Sequence, residues 1–156
     1  MSDLIIDTMS ERDIDPVLKI EQASFHQPWS RISFLSELSH KYSHNFVLKL
    51  ENSFKTYQIV AYLCLRLITD EIHILKIAVD PEKRRNGIAF KFLNHCLDLI
   101  SKQDIKSVIL EARQSNTASI KLYKKIGFYI EAQLPNYYPD TCEDAILMRK
   151  NFLKEA

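Results

Sequence analysis

Apolar and polar positions recur with two different periods along the chain, and each change of period marks the boundary of a predicted element. An apolar residue at every second position predicts long β-strands over residues 58–68 and 71–79, joined by a tight turn at Thr69-Asp70. The same criterion predicts shorter strands over residues 4–8, 45–50, 107–112, 128–134 and 145–152, with a loop at residues 135–139 before the last strand.

Apolar residues spaced three or four positions apart predict four helices. The first helix is predicted to begin after Ser10, the second after Ser30 and the fourth after Asn116, and the third is predicted from Gly87 to Lys102. The predicted order is therefore β-α-α-β-β-β-α-β-α-β-β, a mixed α/β chain (an α+β mixed sheet) with an antiparallel front and a strand–helix–strand crossover behind. A length of 156 residues is that of one ordinary domain, so a single domain is expected over residues 1–156.

Composition removes several classes of protein. Hydrophobic residues make up 46% and charged residues 26%, which is typical of globular chains rather than disordered ones. No run of ~20 apolar residues predicts a membrane span, and the N-terminus lacks a signal-peptide pattern, so we expect a cytoplasmic protein without a membrane partner. A net charge of +1 disfavours nucleic-acid binding through the lysines and arginines. His40 and His44 have no third ligand at motif spacing, so no metal is expected.

Glycine is unusually rare. Average usage of ~7% would give roughly eleven glycines, but the chain has two, Gly87 and Gly127. A phosphate-binding Walker A loop and a dinucleotide-binding GxGxxG turn each need several glycines close together. Both of those nucleotide-binding classes are therefore excluded, and each of the two glycines is expected at a position where another residue fails.

A short basic loop joins the strand that ends at Val79 to the helix that begins at Gly87. The first turn of a helix leaves about four N–H groups without a helical partner and carries roughly half a positive charge, which suits a phosphate or pyrophosphate. The small residues Gly87 and Ala89 allow close approach, and residues 83–85 add positive charge. On spacing alone, a solvated basic turn before an amphipathic helix explains the same pattern.

The segment Arg84-x-x-Gly87-x-Ala89 resembles the Gln/Arg-x-x-Gly-x-Gly/Ala signature of the GNAT acetyltransferases, although Ala89 stands where glycine is commoner. The predicted element order agrees with that family over the whole chain. The resemblance implies that acetyl-CoA binds with its pyrophosphate in this loop. The cofactor-binding positions that it implies are Ile77, Ala78, Val79, Arg84, Arg85, Asn86, Gly87, Ile88, Ala89, Phe90 and Asn116.

Further segments resemble the RimI branch of that family, whose members acetylate the N-terminal amine of a ribosomal protein. They include Pro28-Trp29-Ser30, residues 110–113, Asn136-Tyr137-Tyr138-Pro139 and Glu143-Asp144-Ala145-Ile146. The resemblance implies that Glu111 is the base for the amine proton and that Tyr123 faces the departing thiolate. It also implies that backbone N–H groups at residues 77–79 donate to the thioester oxygen.

Elementary acid–base chemistry fits these implied roles. An N-terminal α-amine, with a pKa of ~7.7–8.0, is far easier to deprotonate at pH 7 than a lysine near ~10.4, and a carboxylate can receive the proton through one water. A phenol near ~10 is a weaker acid than a thiol near ~8.5, which favours Tyr123 as a hydrogen-bond donor over complete proton transfer. The alternatives are that Glu111 pairs with Arg113 or solvent and that Tyr123 is a core-edge aromatic.

The expected function is direct transfer of an acetyl group to an N-terminal alanine of small-subunit ribosomal protein eighteen, by a monomer or weak dimer. The acceptor peptide is expected as an extended strand near the last hairpin, where Tyr137 and Tyr138 line a groove or anchor a loop. His73 is expected to pack within its strand. Two alternatives stay open, an acetyltransferase for small amines or lysine side chains and a non-catalytic acyl-CoA sensor.

Overall fold

The computed structural model describes residues 4–152, and the predicted order of helices and strands is confirmed. The sheet order is β1-β2-β3-β4-β5-β7-β6, with a parallel pair between β4 and β5. The mixed α/β class is therefore confirmed. The helices are α1 (Ile14–Ser24), α2 (Arg31–Ser39), α3 (Ile88–Ser101) and α4 (Thr117–Ile126), and the strands are β1 (Leu4–Thr8), β2 (Ser43–Glu51), β3 (Tyr57–Ile68), β4 (Glu71–Val79), β5 (Ser107–Arg113), β6 (Tyr129–Tyr138) and β7 (Glu143–Asn151).

The described chain forms two compact units, one of residues 4–66 with 75–95 and the other of residues 67–74 with 96–152. β4 passes from the second unit into the first. The expectation of a single domain over residues 1–156 stays a prediction, and its ends at residues 1–3 and 153–156 lie outside the described residues.

In the first unit, α1 and α2 cover one face of the antiparallel strands β2 and β3. Their core residues Ile14, Val17 and Phe34 pack with Val47 and Tyr62, and all five are fully buried. The predicted helix start at Ser30 is confirmed, because its hydroxyl accepts a hydrogen bond from the N–H group of Ser33 at 3.2 Å.

β3 is confirmed as a strand, but both of its faces are buried from Val60 to Leu65. Tyr62 belongs to the cluster beneath α1 and α2. The neighbouring residue Ala61 pairs with Leu48 on the opposite face, where Leu48 lines a depression together with Phe92 of α3. A strand that is covered on both faces has apolar residues on both of them. The alternation in the sequence therefore identified the strand correctly but did not indicate that one of its faces is exposed.

A fully buried carboxylate, Glu21, fixes the connection between α1 and α2 to the sheet. It accepts hydrogen bonds from the N–H group of Trp29 at 2.9 Å, from Lys76 Nζ at 2.8 Å and from the Tyr62 hydroxyl. The Lys76 ammonium also lies 3.8 Å from the centroid of the Phe25 ring. A buried charge is tolerated because it is paired and fully hydrogen-bonded.

A second buried carboxylate, Glu37 on α2, is held by Arg66 through bonds of 2.9 and 2.7 Å. Burial by itself would raise the pKa of Glu37, but the hydrogen bonds from Arg66 and Ser43 outweigh that effect and hold the pKa below its ordinary value.

In the second unit, β5 lies between β4 and β7. It is parallel to β4 through three pairs that begin at Glu71↔Ser107, and antiparallel to β7 along its whole length. Helix α4 ends at Gly127, whose φ of 114° and N–H bonds to the carbonyls of Tyr123 and Lys124 confirm the predicted C-terminal cap.

The predicted loop at residues 135–139 is wrong, because β6 continues through it to Tyr138. The register passes from Leu134↔Ala145 directly to Tyr138↔Glu143, so three residues of β6 face Asp144 alone in a bulge. Asn136 takes a φ of 51°, and its N–H group donates to the Asp144 carboxylate at 2.9 Å instead of to the strand ladder. Pro135 needs no such partner, since proline has no N–H group. Residues that are typical of a loop can therefore lie within a strand when they form a bulge.

The three cysteines differ in access. Cys64 on β3 and Cys96 on α3 are buried, and Cys142 is exposed in the turn between β6 and β7. Among the helices of residues 4–152, none combines the length and the apolar composition that crossing a bilayer requires.

Candidate active site

The basic loop after β4 is built around two left-handed residues. Arg85 has a φ of 65° and Gly87 a φ of 73°, while Asn86 between them has no positive φ. Alternating signs of φ turn successive N–H groups toward one side of the chain and form the concave arrangement that binds anions. The backbone of the loop, as well as its charge, is thus of a kind that suits an anion, and binding of the cofactor there stays a prediction.

Glycine at position 87 is required for conformation and not for space. A Cβ atom built at Gly87 would meet nothing within 4 Å. An L-residue in this left-handed region, however, strains its own backbone. Gly87 is followed directly by α3, where the N–H group of Lys91 donates to the Gly87 carbonyl at 3.1 Å.

Arg84 shapes the loop through its own guanidinium group. Its Nε atom donates to the carbonyl of Val79 at 3.0 Å, and its Nη2 atom donates to Ser24 Oγ at 2.8 Å. Asn86 closes the loop from inside by donating to the Lys83 carbonyl at 3.2 Å. The side chain of Arg84 therefore stabilises the conformation of the loop, and these two hydrogen bonds hold its positive charge in one place.

The other predicted cofactor positions of the first unit lie on either side of this loop. Ala78 and Val79 are buried at the end of β4, and Ile77 precedes them half-buried. Ala89 is the second residue of α3 rather than a loop residue, with Ile88 before it and Phe90 after it, all three half-buried. Because a helical alanine is unstrained, the absence of glycine at position 89 does not limit the loop.

In the second unit, Glu111 forms a close pair with His73, a histidine that the sequence was expected to place only within the packing of its strand. The Nε2 atom of His73 on β4 lies 2.6 Å from Oε2 of Glu111 on β5. Their side chains are 31% and 17% exposed, so the pair is partly screened from water but still accessible. The register His73↔Ile109 places Glu111 two residues further along the neighbouring strand, on the same face.

The alternative pairing of Glu111 with Arg113 is not what the structure shows. Arg113 donates to the Asp140 carboxylate at 2.9 and 3.1 Å and to Thr141 Oγ1 at 3.1 Å. Its guanidinium carbon also lies 4.1 Å from the centre of the Tyr138 ring. Arg113 thereby ties the turn between β6 and β7 to the end of β5 and leaves Glu111 with His73.

Tyr137 and Tyr138 lie close to this carboxylate. Their rings meet edge to face with centroids 5.1 Å apart. Burial, and then the negative charge of Glu111, raise the pKa of Tyr137, and burial is also the main reason that the pKa of Tyr138 rises to about 12, with a smaller contribution from Glu111. The two tyrosines that the sequence associated with the last hairpin are thus brought to the predicted base.

Tyr123 lies on the inner face of α4 and is only 7% exposed. Burial is the main cause that raises its pKa to about 12, and its interaction with the Ser119 hydroxyl opposes that rise. The ring packs edge to face on Phe128 with centroids 5.8 Å apart. The core-edge packing is therefore present, and the implied role of the Tyr123 hydroxyl at the departing sulfur stays a prediction.

Asn116 caps α4, because its Oδ1 atom accepts a hydrogen bond from the N–H group of Ser119 at 3.2 Å. The cap is the role that the structure shows, and the implied contact with a cofactor stays a prediction. Glu111, Tyr123 and Asn116 all lie in the second unit, whereas residues 77–79 and 84–90 lie in the first.

Comparison with known proteins defines the family. The model of the acetyltransferase (GNAT) family matches residues 14–128. The chain is 34% identical over 145 residues to the [Ribosomal protein bS18]-alanine N-acetyltransferase of Escherichia coli (strain K12), covering 92% of this chain and 94% of that protein. The chain therefore belongs to the GNAT acetyltransferase family.

Solved structures agree with this assignment. The crystal structure of the ribosomal-protein-S18-alanine N-acetyltransferase from Escherichia coli aligns with a TM-score of 0.85 at 31% identity, covering 99% of this chain and 97% of that one. Arabidopsis thaliana NAA60 in complex with acetyl-CoA shares the fold, with a TM-score of 0.83 at 15% identity, covering 96% of this chain and 99% of that one. The predictions of a GNAT fold and of an acetyltransferase are confirmed.

Proposed function

We propose that this chain transfers an acetyl group from acetyl-CoA to the N-terminal α-amine of a protein, and that its acceptor is the N-terminal alanine of ribosomal protein bS18. The observation that carries this proposal is the 34% identity, along 92% of the chain, to an enzyme of that activity. The half-buried carboxylate of Glu111 beside two tyrosines supports the chemistry. The reaction is placed in the cytoplasm, where ribosomal proteins are made.

The loop at residues 84–90 fits the pyrophosphate of acetyl-CoA. The alternating signs of φ in its backbone present N–H groups to an anion, and the N-terminus of α3 adds the positive end of a helix. No atom lies within 4 Å of the position that a Cβ atom of residue 87 would occupy, so an anion can approach Gly87 closely. In this proposal Arg84 holds the loop in shape, Arg85 contributes charge, and residues 86–90 supply the backbone of the anion site. Asn116, whose oxygen is used for capping, can donate from its amide nitrogen to the cofactor arm.

Glu111 acts as the general base in this proposal, through one water. An α-amine near ~7.7–8.0 loses its proton at pH 7 for about 1 kcal/mol, whereas a lysine near ~10.4 would cost about 4–5 kcal/mol. This difference of about 3–4 kcal/mol comes from the pKa values of the two amines and is the same for any base. The lower pKa of the α-amine therefore makes an N-terminal acceptor the easier one to activate at pH 7.

In the transfer step the amine nitrogen forms a bond to the thioester carbonyl carbon, and the carbon–sulfur bond breaks. The proton that the α-ammonium loses to become a nucleophile goes through a water to Glu111, the second proton that the nitrogen loses as the amide forms goes to solvent, and the sulfur leaves as the CoA thiolate. Negative charge that develops on the carbonyl oxygen is stabilised by backbone N–H groups at residues 77–79. No covalent intermediate with the protein is needed.

Tyr123 serves as a hydrogen-bond donor to the departing sulfur. Burial raises its pKa to about 12, and an alkyl thiol titrates near ~8.5, so full proton transfer would be uphill by about 5 kcal/mol. A donated hydrogen bond stabilises the thiolate without that cost, and the thiolate then takes its proton from water.

The acceptor is proposed to lie extended beside the hairpin of β6 and β7, where the charge of Glu111 acts on Tyr137 and Tyr138. An extended peptide can add main-chain hydrogen bonds at a strand edge while pockets select its side chains. The protein works as a monomer or weak dimer, without a nucleic-acid or membrane partner.

The test is to incubate the protein with acetyl-CoA and a peptide that carries the N-terminus of bS18, and to locate the acetyl group by tandem mass spectrometry. Acetylation of the α-amine is expected, and Glu111→Gln should lower kcat by about 10²- to 10⁴-fold at pH 7 with little change in acetyl-CoA affinity. Glu131→Gln, which removes a carboxylate bound to Arg149 instead, is the matched control.

Three results would contradict the proposal in different ways. Acetylation of lysine side chains or of small amines alone would replace the acceptor. Binding of acetyl-CoA without turnover on any amine would indicate a sensor. Full activity in Glu111→Gln would remove the assigned base while leaving the acceptor assignment intact.

A further inference from the structure

His73 is the only partner of Glu111 for which the described residues show a direct side-chain hydrogen bond, and the proposed mechanism leaves it without a role. The contact of 2.6 Å between Nε2 and Oε2 is short even for a charge-assisted hydrogen bond. An ionised carboxylate only accepts hydrogen bonds, so the proton in this contact is carried by Nε2.

The bond restricts a flexible side chain at the place where a base must be aimed. Glu111 has three side-chain torsions, and fixing Oε2 on His73 leaves Oε1 as the oxygen that can face a water and an amine. A base held in this way needs no reorientation at the moment of proton transfer. His73 itself is fixed by its place on β4, through the parallel pairing that begins at Glu71↔Ser107.

The other charged and titratable groups near this pair are engaged elsewhere or are neutral. On β5, Arg113 is held by Asp140 at 2.9 Å. On β4, Glu71 is held by Arg149 and by Ser107 Oγ. From β6, Tyr137 and Tyr138 face Glu111 as neutral phenols, and on β7 the residue opposite Glu111 is the apolar Leu147. Among the described residues, His73 is therefore the side chain placed to hold Glu111 in one orientation.

We propose that His73 is a positioning residue for Glu111, which it holds through the hydrogen bond from Nε2 to Oε2. This inference rests on the proposed function. The bond keeps the other carboxylate oxygen of Glu111, Oε1, directed at the place where a water and the acceptor amine are proposed to bind.

The positioning role predicts that a side-chain donor at position 73 is sufficient for activity. The amide group of His73→Gln can donate a hydrogen bond to Glu111, whereas the side chain of His73→Leu cannot. Glutamine should therefore rescue most of the kcat that leucine loses.

The experiment measures kcat and kcat/KM for the acceptor peptide from pH 5.5 to 9 in the wild type, His73→Gln and His73→Leu. We expect His73→Leu, which has no donor, to lose about 10- to 100-fold in kcat, while His73→Gln retains most of it at pH 8.5. Affinity for acetyl-CoA and the melting temperature should stay near wild type in His73→Gln. His44→Gln, at an exposed histidine of β2, is the matched control.

Two outcomes would overturn the proposal. One is wild-type kcat in His73→Leu, and the other is a loss of kcat in His73→Gln as large as that in His73→Leu. If the wild type shows no turnover, the proposed function fails, and the pair is tested by ¹⁵N NMR of the histidine rings instead. A protected Nε2–H signal of His73 that disappears in Glu111→Gln supports the pairing, and its absence in the wild type refutes it.

Discussion

Replacing Gly87 by alanine separates the conformational demand of the anion loop from its demand for space. The φ of 73° lies in the left-handed region, where an L-residue costs about 1–2 kcal/mol. Neighbouring atoms add nothing to that cost, because a Cβ atom at this position meets none within 4 Å. The whole penalty is therefore backbone strain.

The strain must appear either in the stability of the protein or in the affinity for acetyl-CoA. If the loop of Gly87→Ala keeps its shape, the melting temperature falls by roughly 2–8 °C. If the loop relaxes, the Kd for acetyl-CoA rises by about 5- to 30-fold, which is the same free energy. Differential scanning calorimetry and isothermal titration calorimetry measure the two losses, and their sum should be about 1–2 kcal/mol.

Two further variants, Gly87→Asn and Gly127→Ala, test whether the losses in Gly87→Ala come from backbone strain in the loop. Asparagine tolerates the left-handed region better than alanine does, so Gly87→Asn should bind acetyl-CoA more tightly than Gly87→Ala. Gly127, with a φ of 114° at the end of α4, carries the same kind of strain away from the loop, so Gly127→Ala should lower the melting temperature alone. Weaker binding by Gly87→Asn than by Gly87→Ala, or wild-type behaviour of Gly87→Ala, would refute the reasoning.

Three further changes test other contacts. Tyr123→Phe should lower kcat by roughly 10- to 100-fold with an unchanged KM for the peptide, and steady-state rates equal to wild type would remove its role at the sulfur. Lys76→Met leaves the fully buried Glu21 without its counter-ion and should lower the free energy of unfolding by about 3–5 kcal/mol. Tyr62→Phe removes only a neutral donor to Glu21 and should lower it by about 1–3 kcal/mol. Urea unfolding that finds Tyr62→Phe less stable than Lys76→Met contradicts this. The pKa of Glu37 is lowered in the folded protein, so its contribution is complete above about pH 4.5 and is lost as the pH falls further. Glu37→Gln should therefore lower stability at pH 7 and flatten the acid side of the stability curve, and parallel curves would contradict the assignment.

The helices and strands were predictable because their signals are local. The caps at Ser30 and Gly127 and the change of period at Gly87 each depend on a few neighbouring residues, and the structure confirms them. The predicted loop at residues 135–139 was wrong because it relied on local signals alone. Proline and asparagine there suggest a loop, but the carboxylate of Asp144, which lies across the hairpin, allows the strand to continue through a bulge.

The pair of His73 and Glu111 could not be found from local signals. The two residues are 38 positions apart, and they meet because β4 and β5 pair in parallel with the register Glu71↔Ser107. The one available hint was a polar ring on a strand that is otherwise rich in apolar residues. The role of Arg84 was hidden for a similar reason, since its partner Ser24 comes from α1, which lies 60 positions earlier.

The unequal access of the three cysteines turns the hairpin of β6 and β7 into a natural attachment point for a spectroscopic probe. Cys64 and Cys96 are shielded inside the protein, and Cys142 projects from the turn. Asp140 and Glu143 on either side of it are held by Arg113, so a maleimide dye would report from a well-anchored position. Arrival of an acceptor peptide beside Tyr137 and Tyr138 can then be followed by fluorescence in the unaltered sequence, without engineering a label site.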